Sequence, residues 1–173
     1  FSVLIAFPLG LIAALKNNTT LDILIRGLGY VGLAIPVFWL GMILQIVFFA
    51  WIGWFPLQGR FSTDIYMNAD LIIHTGFILF DTLISGEWTL FINAVHYIFL
   101  PAITMSVAVM GIIIRISKSS LADTMKEPFF TTLLSFGFTP QQAVVGSAYK
   151  NTLVPVSTIV GLSYGMMLGG TFL

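Results

Sequence analysis

The stretch EPFFTTLLSFGFTPQQAVVGSAYKNTLVP, residues 127–155, decides how the rest of the chain is read. It lies between two long apolar segments, yet it holds a helix end, a glycine break, a new helix start, a basic residue and a proline in quick succession. Thr139 with Gln142 three residues on forms a capping box, in which the N-cap hydroxyl accepts from the N3 amide and the N3 side chain reaches back to the N-cap amide. Pro140 sits at the first helical position, where a missing N–H costs nothing and φ is already set for a helix. Gly137 stands just ahead, where a helix can end in a left-handed turn. The spacing predicts two short helices hinged at Gly137, a structured loop and not a tether.

What surrounds this loop is membrane-like. Of the 173 residues 58% are hydrophobic and 8% charged, with a mean hydropathy of +1.01, outside the composition of soluble domains. The expected fold class is therefore an all-α integral membrane protein. Seven Lys and Arg against seven Asp and Glu leave no net charge, so there is no basic footprint for nucleic acid. With no cysteine, disulfides, thiolate nucleophiles and cysteine metal sites are excluded.

On the C-terminal side of the loop, Lys150 and Asn151 mark re-entry into the lipid bilayer, and a span is expected over 153–173. On its N-terminal side a span is expected over 97–116, with Pro101 in its first turns and Arg115 at its inner end, and residues 119–150 form the cytoplasmic loop. Farther back, residues 23–54 carry one charge, Arg26. A helix of that length reaches about 48 Å, longer than the hydrocarbon core, so it must tilt, kink or project. Pro36 is expected to supply the kink, and Trp51 and Trp54 to sit in an interface belt. Thr19 or Thr20 caps the start, and Asp22 in the first turn pairs with Arg26 four residues on.

Residues 1–15 are apolar, Gly or Pro apart from Ser2, but fall short of the roughly 20 residues that cross a bilayer. They read as the end of a helix whose beginning is missing. Because the first and last spans run into the chain ends, residues 1–173 are expected to be a fragment of one transmembrane domain, truncated on both sides.

The segment 57–94 differs from its neighbours. Arg60 is opposed there by Asp64, Asp70, Asp81 and Glu87, whereas Lys16, Arg26, Arg115, Lys118, Lys126 and Lys150 flank the spans on the other side. By the positive-inside rule 57–94 is an extracytoplasmic loop and the loop at Glu127 faces the cytoplasm. Residues 71–84 are too short to span and read as an interfacial or re-entrant helix.

The decisive stretch also carries a resemblance. F-T-P-Q-Q-A after Gly137, with Pro155 in N-T-L-V-P eighteen residues beyond that glycine, resembles the cytoplasmic coupling loop, or EAA loop, of ABC-importer permeases. Glu127, ten positions before the glycine, matches an acidic residue of the dipeptide and oligopeptide branch. The chain departs from the family pattern at Thr131, Thr132, Leu133, Leu134, Ser135 and Phe136, which stand where small and basic residues are usual, so the docking chemistry is more apolar. A-I-P-V-F-W-L-G at 34–41, I-G-W-F-P at 52–56, T-G-F-I-L-F-D-T-L-I-S-G-E-W at 75–88, H-Y-I-F-L-P at 96–101 and R-I-S-K-S-S at 115–120 extend the likeness over nearly the whole chain.

The resemblance implies a multi-span B-type permease of the dipeptide, oligopeptide and nickel group, with the type I ABC-importer fold, in a prokaryotic inner membrane. It implies a translocation path for peptides or related small solutes, shared with a second permease subunit. Two ABC ATPase subunits on the cytoplasmic side would carry the ATP and Mg, and an extracytoplasmic substrate-binding protein would deliver the solute. In this family the loop docks into a groove on the ATPase and transmits its closure. Gly137 would then allow the sharp turn, Leu133, Leu134 and Phe136 would fill the groove beside Glu127 and Thr132, and Pro155 would set the start of the last span.

Other chemistries find little support. No phosphate-binding loop G-x-x-x-x-G-K-[ST] and no G-x-S-x-G elbow occurs, so neither ATP hydrolysis nor that nucleophile is read from this chain, and no cofactor is expected in it. His74 and His96 lack metal-ligand spacing. Gly161, Gly165 and Gly169 recur every four residues and predict a flat face for helix packing, which in a permease would meet the second subunit. Gln45, Ser106 and Ser163 are polar residues within spans, for which interhelical hydrogen bonding is the default and path lining the alternative. A secondary transporter, or another helical membrane protein without ATPase partners, stays open at this point. It would need ionisable groups at mid-membrane, and these spans carry none.

Overall fold

The computed structural model describes residues 1–69 and 71–170, with the backbone alone at Gly169 and Gly170. Asp70, the side of the glycine row formed by Gly169, and the end of the expected last span at 171–173 lie outside the described residues. All regular elements among the described residues are helical. The chain divides into two compact units, one of residues 1–36 with 105–173 and one of residues 37–104.

The first unit holds α1 (Ser2–Leu15), α2 (Thr20–Ala34), the second half of α6 (Trp88–Thr124), α7 (Pro128–Ser135), α8 (Pro140–Ala143) and α9 (Tyr149–Gly170). Its core has two parts. Ala6, Ala13, Ile25, Ile113, Ile114 and Val156 form one, and Ala14, Leu121, Phe130, Ala143, Val144 and Ala148 the other. The small residues in both clusters reflect how closely the backbones approach. A methyl group added at Gly10 would come within 2.5 Å of Ser117 Cβ, and one at Gly32 within 2.9 Å of the Val107 carbonyl oxygen. At Gly111 it would run into the Gly29 carbonyl oxygen and lie 2.7 Å from Leu33 Cγ. Such contacts are how helices gain dispersion energy where lipid offers no hydrophobic drive. Ser117 belongs to this crossing by size, since its buried Oγ has no partner among the described residues.

Beside the crossing, Thr19 caps α2 by accepting from the Asp22 amide at 3.4 Å, and Asn18 reaches the left-handed region at φ 62. Asp22 is fully buried. It accepts from Arg26 Nε at 3.1 Å, as its i,i+4 spacing predicts, and from the Asn18 amide at 3.0 Å. It also takes Lys118 Nζ at 2.6 and 2.8 Å on its two oxygens.

Pro36, expected to kink one helix over 23–54, breaks it. α2 ends at Ala34, Ile35 is extended at φ −82 and ψ 124, and α3 (Val37–Gln45) starts anew. The proline ring clashes with a helical conformation at the residue before it, which pushes Ile35 out of the helix. By length and composition, α6 and the run Pro140–Leu168 can each cross a membrane, and α2 with Val37–Trp51 qualifies as a broken pair. α6 begins at Trp88 rather than Tyr97, and its 37 residues extend about 56 Å, well past a hydrocarbon core.

In the second unit α3 runs into a π-helical segment, Ile46–Trp51, followed by an aromatic cluster in which Phe55 stacks on Phe99 at 5.1 Å between ring centroids. A ring nitrogen of His96 lies 2.6 Å from the Trp54 carbonyl oxygen. α4 (Thr63–Met67) and α5 (Ile78–Ile84) are short. The helix expected over 71–84 is thus confined to its last half, because the backbone donors before it are otherwise engaged. The amides of His74 and Thr75 donate to Asp81 Oδ1 at 3.2 and 2.8 Å, the Thr75 hydroxyl does so at 2.8 Å, and the Gly76 amide donates to Oδ2 at 2.9 Å.

Burial by itself would raise the Asp81 pKa, but the Thr75, Gly76 and His74 donors outweigh it and hold the carboxyl below its ordinary value. Because the folded pKa is the depressed one, this stabilisation is complete above the unfolded carboxylate value and is lost as pH falls through the folded one. Amide protection factors at Thr75 and Gly76 should therefore hold at neutral pH and fall on acidification below the usual aspartate range. Asp81→Asn should lower them about tenfold at neutral pH. Equal protection in variant and parent would mean that the carboxylate does not order this loop.

Candidate functional site

The loop between α6 and α9 is built from local signals. Glu127 is the N-cap of α7 without a side-chain bond to it, and Pro128 takes the first helical position. At the other end Phe136 is the C-cap. The Phe138 amide donates to the Leu133 carbonyl at 3.3 Å and the Gly137 amide to the Leu134 carbonyl at 3.0 Å. Those two bonds make a Schellman motif, whose C′ residue must be left-handed, and Gly137 has φ +88. α8 then starts with the capping box complete, since the Thr139 amide donates to Gln142 Oε1 at 2.9 Å and the Gln142 amide to Thr139 Oγ1 at 3.3 Å. A π-helical segment, Val144–Ala148, leads into α9. Pro155 lies inside α9, not at its start, because the helix already begins at Tyr149.

Phe130, Ala143, Val144 and Ala148 are buried and pack with Ala14 of α1 and Leu121 of α6, which ties the loop down. Leu133 is half-buried against this cluster, so of the three residues expected to reach outward it is largely occupied within the chain. Leu134 and Phe136 do face out, at 39% and 77% exposure, and Phe138 at 49% joins them from beyond the turn. Sequence reasoning missed Phe138, and also Val145, because one exposed apolar residue in a chain this apolar offers no contrast, and no helical period crosses the Gly137 turn. The Thr132 hydroxyl donates to the Pro128 carbonyl at 2.9 Å, bracing the exposed face of α7. Glu127 is exposed and lines an open groove with Ser120, Asp123, Thr124, Asn151 and Pro155.

The remaining candidates fall outside residues 127–155. Gly161 and Gly165 of α9 are exposed, with nothing within 4 Å of where a Cβ would stand. Close glycine contacts in this unit are instead made by Gly10, Gly32 and Gly111, the last against Gly29. Ser106 and Ser163 are buried in α6 and α9. Gln45 belongs to the other unit, where its Nε2 donates to the Leu57 carbonyl at 3.1 Å and closes the end of α3 onto the following loop.

Comparison with known proteins converges on one family. The profile described as "Binding-protein-dependent transport system inner membrane component" matches residues 6–173. The chain is 35% identical to the "Di/tripeptide transport system permease protein DppB" of Pseudomonas aeruginosa over 95% of the chain and 48% of that protein. It is 33% identical to the "Dipeptide transport system permease protein DppB" of Escherichia coli K12 over 100% of the chain and 51% of that protein. It is 28% identical to the "Oligopeptide transport system permease protein AppB" of Bacillus subtilis over 98% of the chain and 47% of that protein. The chain spans about half the length of the curated relatives it matches. With nearly every residue inside the matched region, this chain belongs to the family of binding-protein-dependent transport system inner membrane components.

Proposed function

We propose that this chain belongs to the permease subunit of an ATP-driven importer, and that residues 127–155 couple it to separate ABC ATPase subunits. The observation that carries the proposal is the exposed apolar set Leu134, Phe136 and Phe138 around the Gly137 turn, on a loop whose other face is locked into the core. Exposed apolar groups gathered on a cytoplasmic loop fit a protein partner better than water. The relatives' names assign di- and tripeptides, dipeptides and oligopeptides to those proteins, which favours peptides as the solute here. A second permease would complete the path, and the open side of Gly161 and Gly165 is the face offered to it. An extracytoplasmic binding protein would deliver the solute, and Gln45, Ser106 and Ser163 are the polar candidates along the route. The ATPases hold ATP and Mg, and their closure would shift the population between inward-open and outward-open packings.

Affinity purification of the full-length subunit from its native membrane tests this. An ATPase pair and a second permease should come with it, and Phe136→Asp with Phe138→Asp should cut ATPase recovery at least tenfold, since a charge would be buried without a partner. Recovery of the subunit with no ATPase, or undiminished ATPase on the double variant, would overturn the reading.

A further inference from the structure

On the side assigned to the cytoplasm, α2 and α6 enclose a groove with more positive charge than the chain itself balances. Arg26, Arg115 and Lys118 line one cavity of about 210 Å³, with Gly29, Tyr30 and Ser119 completing its wall. The cavity exists because Gly29 and Gly111 bring the two backbones together and leave no side chain to fill the notch. Among the described residues, Asp22 is the one carboxylate bonded into this cluster, holding Lys118 by both oxygens and Arg26 through Nε. That bond leaves both Nη groups of Arg26 as donors. Arg115 is exposed and, among the described residues, in no ion pair. Of the other acids of this unit, Asp123 pairs with Lys126 at 2.9 Å and Glu127 lines the separate groove beside α9.

Three cations converging on a small cavity, two of them guanidinium groups, match the tetrahedral oxyanion of a phosphate, which arginine can grip with two donors at once. The surroundings narrow the choice of ligand. One turn farther along α2 from Arg26 stands Tyr30, an amphipathic ring suited to headgroup depth, and helical spacing puts the exposed apolar residues Ile23 and Leu33 on the same side of α2. A free anion has no use for that wall, whereas acyl chains do. Basic pockets between helices on the cytoplasmic side are a recurring way to hold lipid headgroups. We propose that the groove between α2 and α6 binds an anionic phospholipid of the cytoplasmic leaflet, with its phosphate on Arg26, Arg115 and Lys118 and its chains along α2. Asp22 then has a second role, as the positioning residue that fixes Lys118 and Arg26 toward the headgroup.

The full-length protein placed in nanodiscs of phosphatidylcholine, with and without phosphatidylglycerol, provides the test, with retained lipid counted by native mass spectrometry and Tm followed in parallel. Phosphatidylglycerol should be retained preferentially and should raise Tm. Arg115→Gln should weaken retention about fivefold, Arg115→Lys less, and Lys150→Gln, which removes a cation outside the groove, should leave it at the parental level. Inorganic phosphate added to the phosphatidylcholine discs should not move Tm. Equal retention of the two lipids, or an Arg115→Gln protein that behaves as the parent, would overturn the site. Equal losses for Lys150→Gln and Arg115→Gln would reduce the effect to general surface charge. A phosphate-induced shift as large as that of the lipid would replace the lipid with a soluble phosphate ligand.

Discussion

Gly137→Val is expected to abolish coupled solute uptake while leaving the amount of protein in the membrane unchanged. The residue sits at φ +88, as the C′ position of the Schellman motif requires, and nothing lies within 4 Å of where its Cβ would be. The penalty is therefore all backbone and none of it collision. A β-branched residue held in such a conformation costs about 1–3 kcal/mol, and the loop can escape by reopening the turn between α7 and α8. Reopening it would move Leu134 and Phe136 relative to Phe138. A graded series separates backbone from side chain: Asn tolerates the left-handed region and should keep most uptake, Ala should lose part, and Val nearly all. Uptake by the Val variant at the parental rate, measured against its blotted membrane level, would sink the coupling role of the turn.

Gly111→Leu should act on stability, and the strongest effect in the helix crossing is expected there. Its Cβ would strike a backbone carbonyl, that of Gly29, and lie 2.7 Å from Leu33 Cγ on the same helix. A carbonyl cannot rotate out of the way as a side-chain tip can, so α2 and α6 must separate, and overpacking of this kind costs about 1–3 kcal/mol or more. The expected reading is a Tm several degrees lower and a reduced yield of folded protein in detergent. Gly27→Leu, two residues from Gly29 on α2 but with nothing within 4 Å, should leave Tm unchanged. If the two variants melt alike, the crossing is not held by backbone contact.

The parts of this structure that were legible in the sequence are the ones whose partners lie within a turn or two of each other. The Thr139–Gln142 box, the Gly137 turn and the Asp22–Arg26 pair all close within four residues, so spacing alone specifies them. Lys118 on Asp22 is a contact across 96 residues of chain, and no local pattern announces it. The four amide and hydroxyl donors on Asp81 hide for a different reason, since His74, Thr75 and Gly76 fall inside a stretch read as continuous helix over 71–84. The glycines show how spacing can mislead. Gly161 and Gly165 of the regular row on α9 meet nothing within 4 Å, while Gly10, Gly29, Gly32 and Gly111, which share no such four-residue period, make close approaches. Pro36 was visible as a disturbance, but whether a proline bends a helix or ends it depends on what the flanking residues do, and Ile35 leaves the helix altogether.

The loop at 127–155 closes its own hydrogen bonds at both sides of the turn and buries its inner face within the chain. Its conformational entropy is lost when the chain folds, not when it docks. In mechanical terms α7 and α8 form a strut whose compliance is low. If the proposed docking holds, a displacement applied at Phe136 would reach α6 through the packing of Phe130 and Val144 on Leu121 instead of being absorbed by the loop.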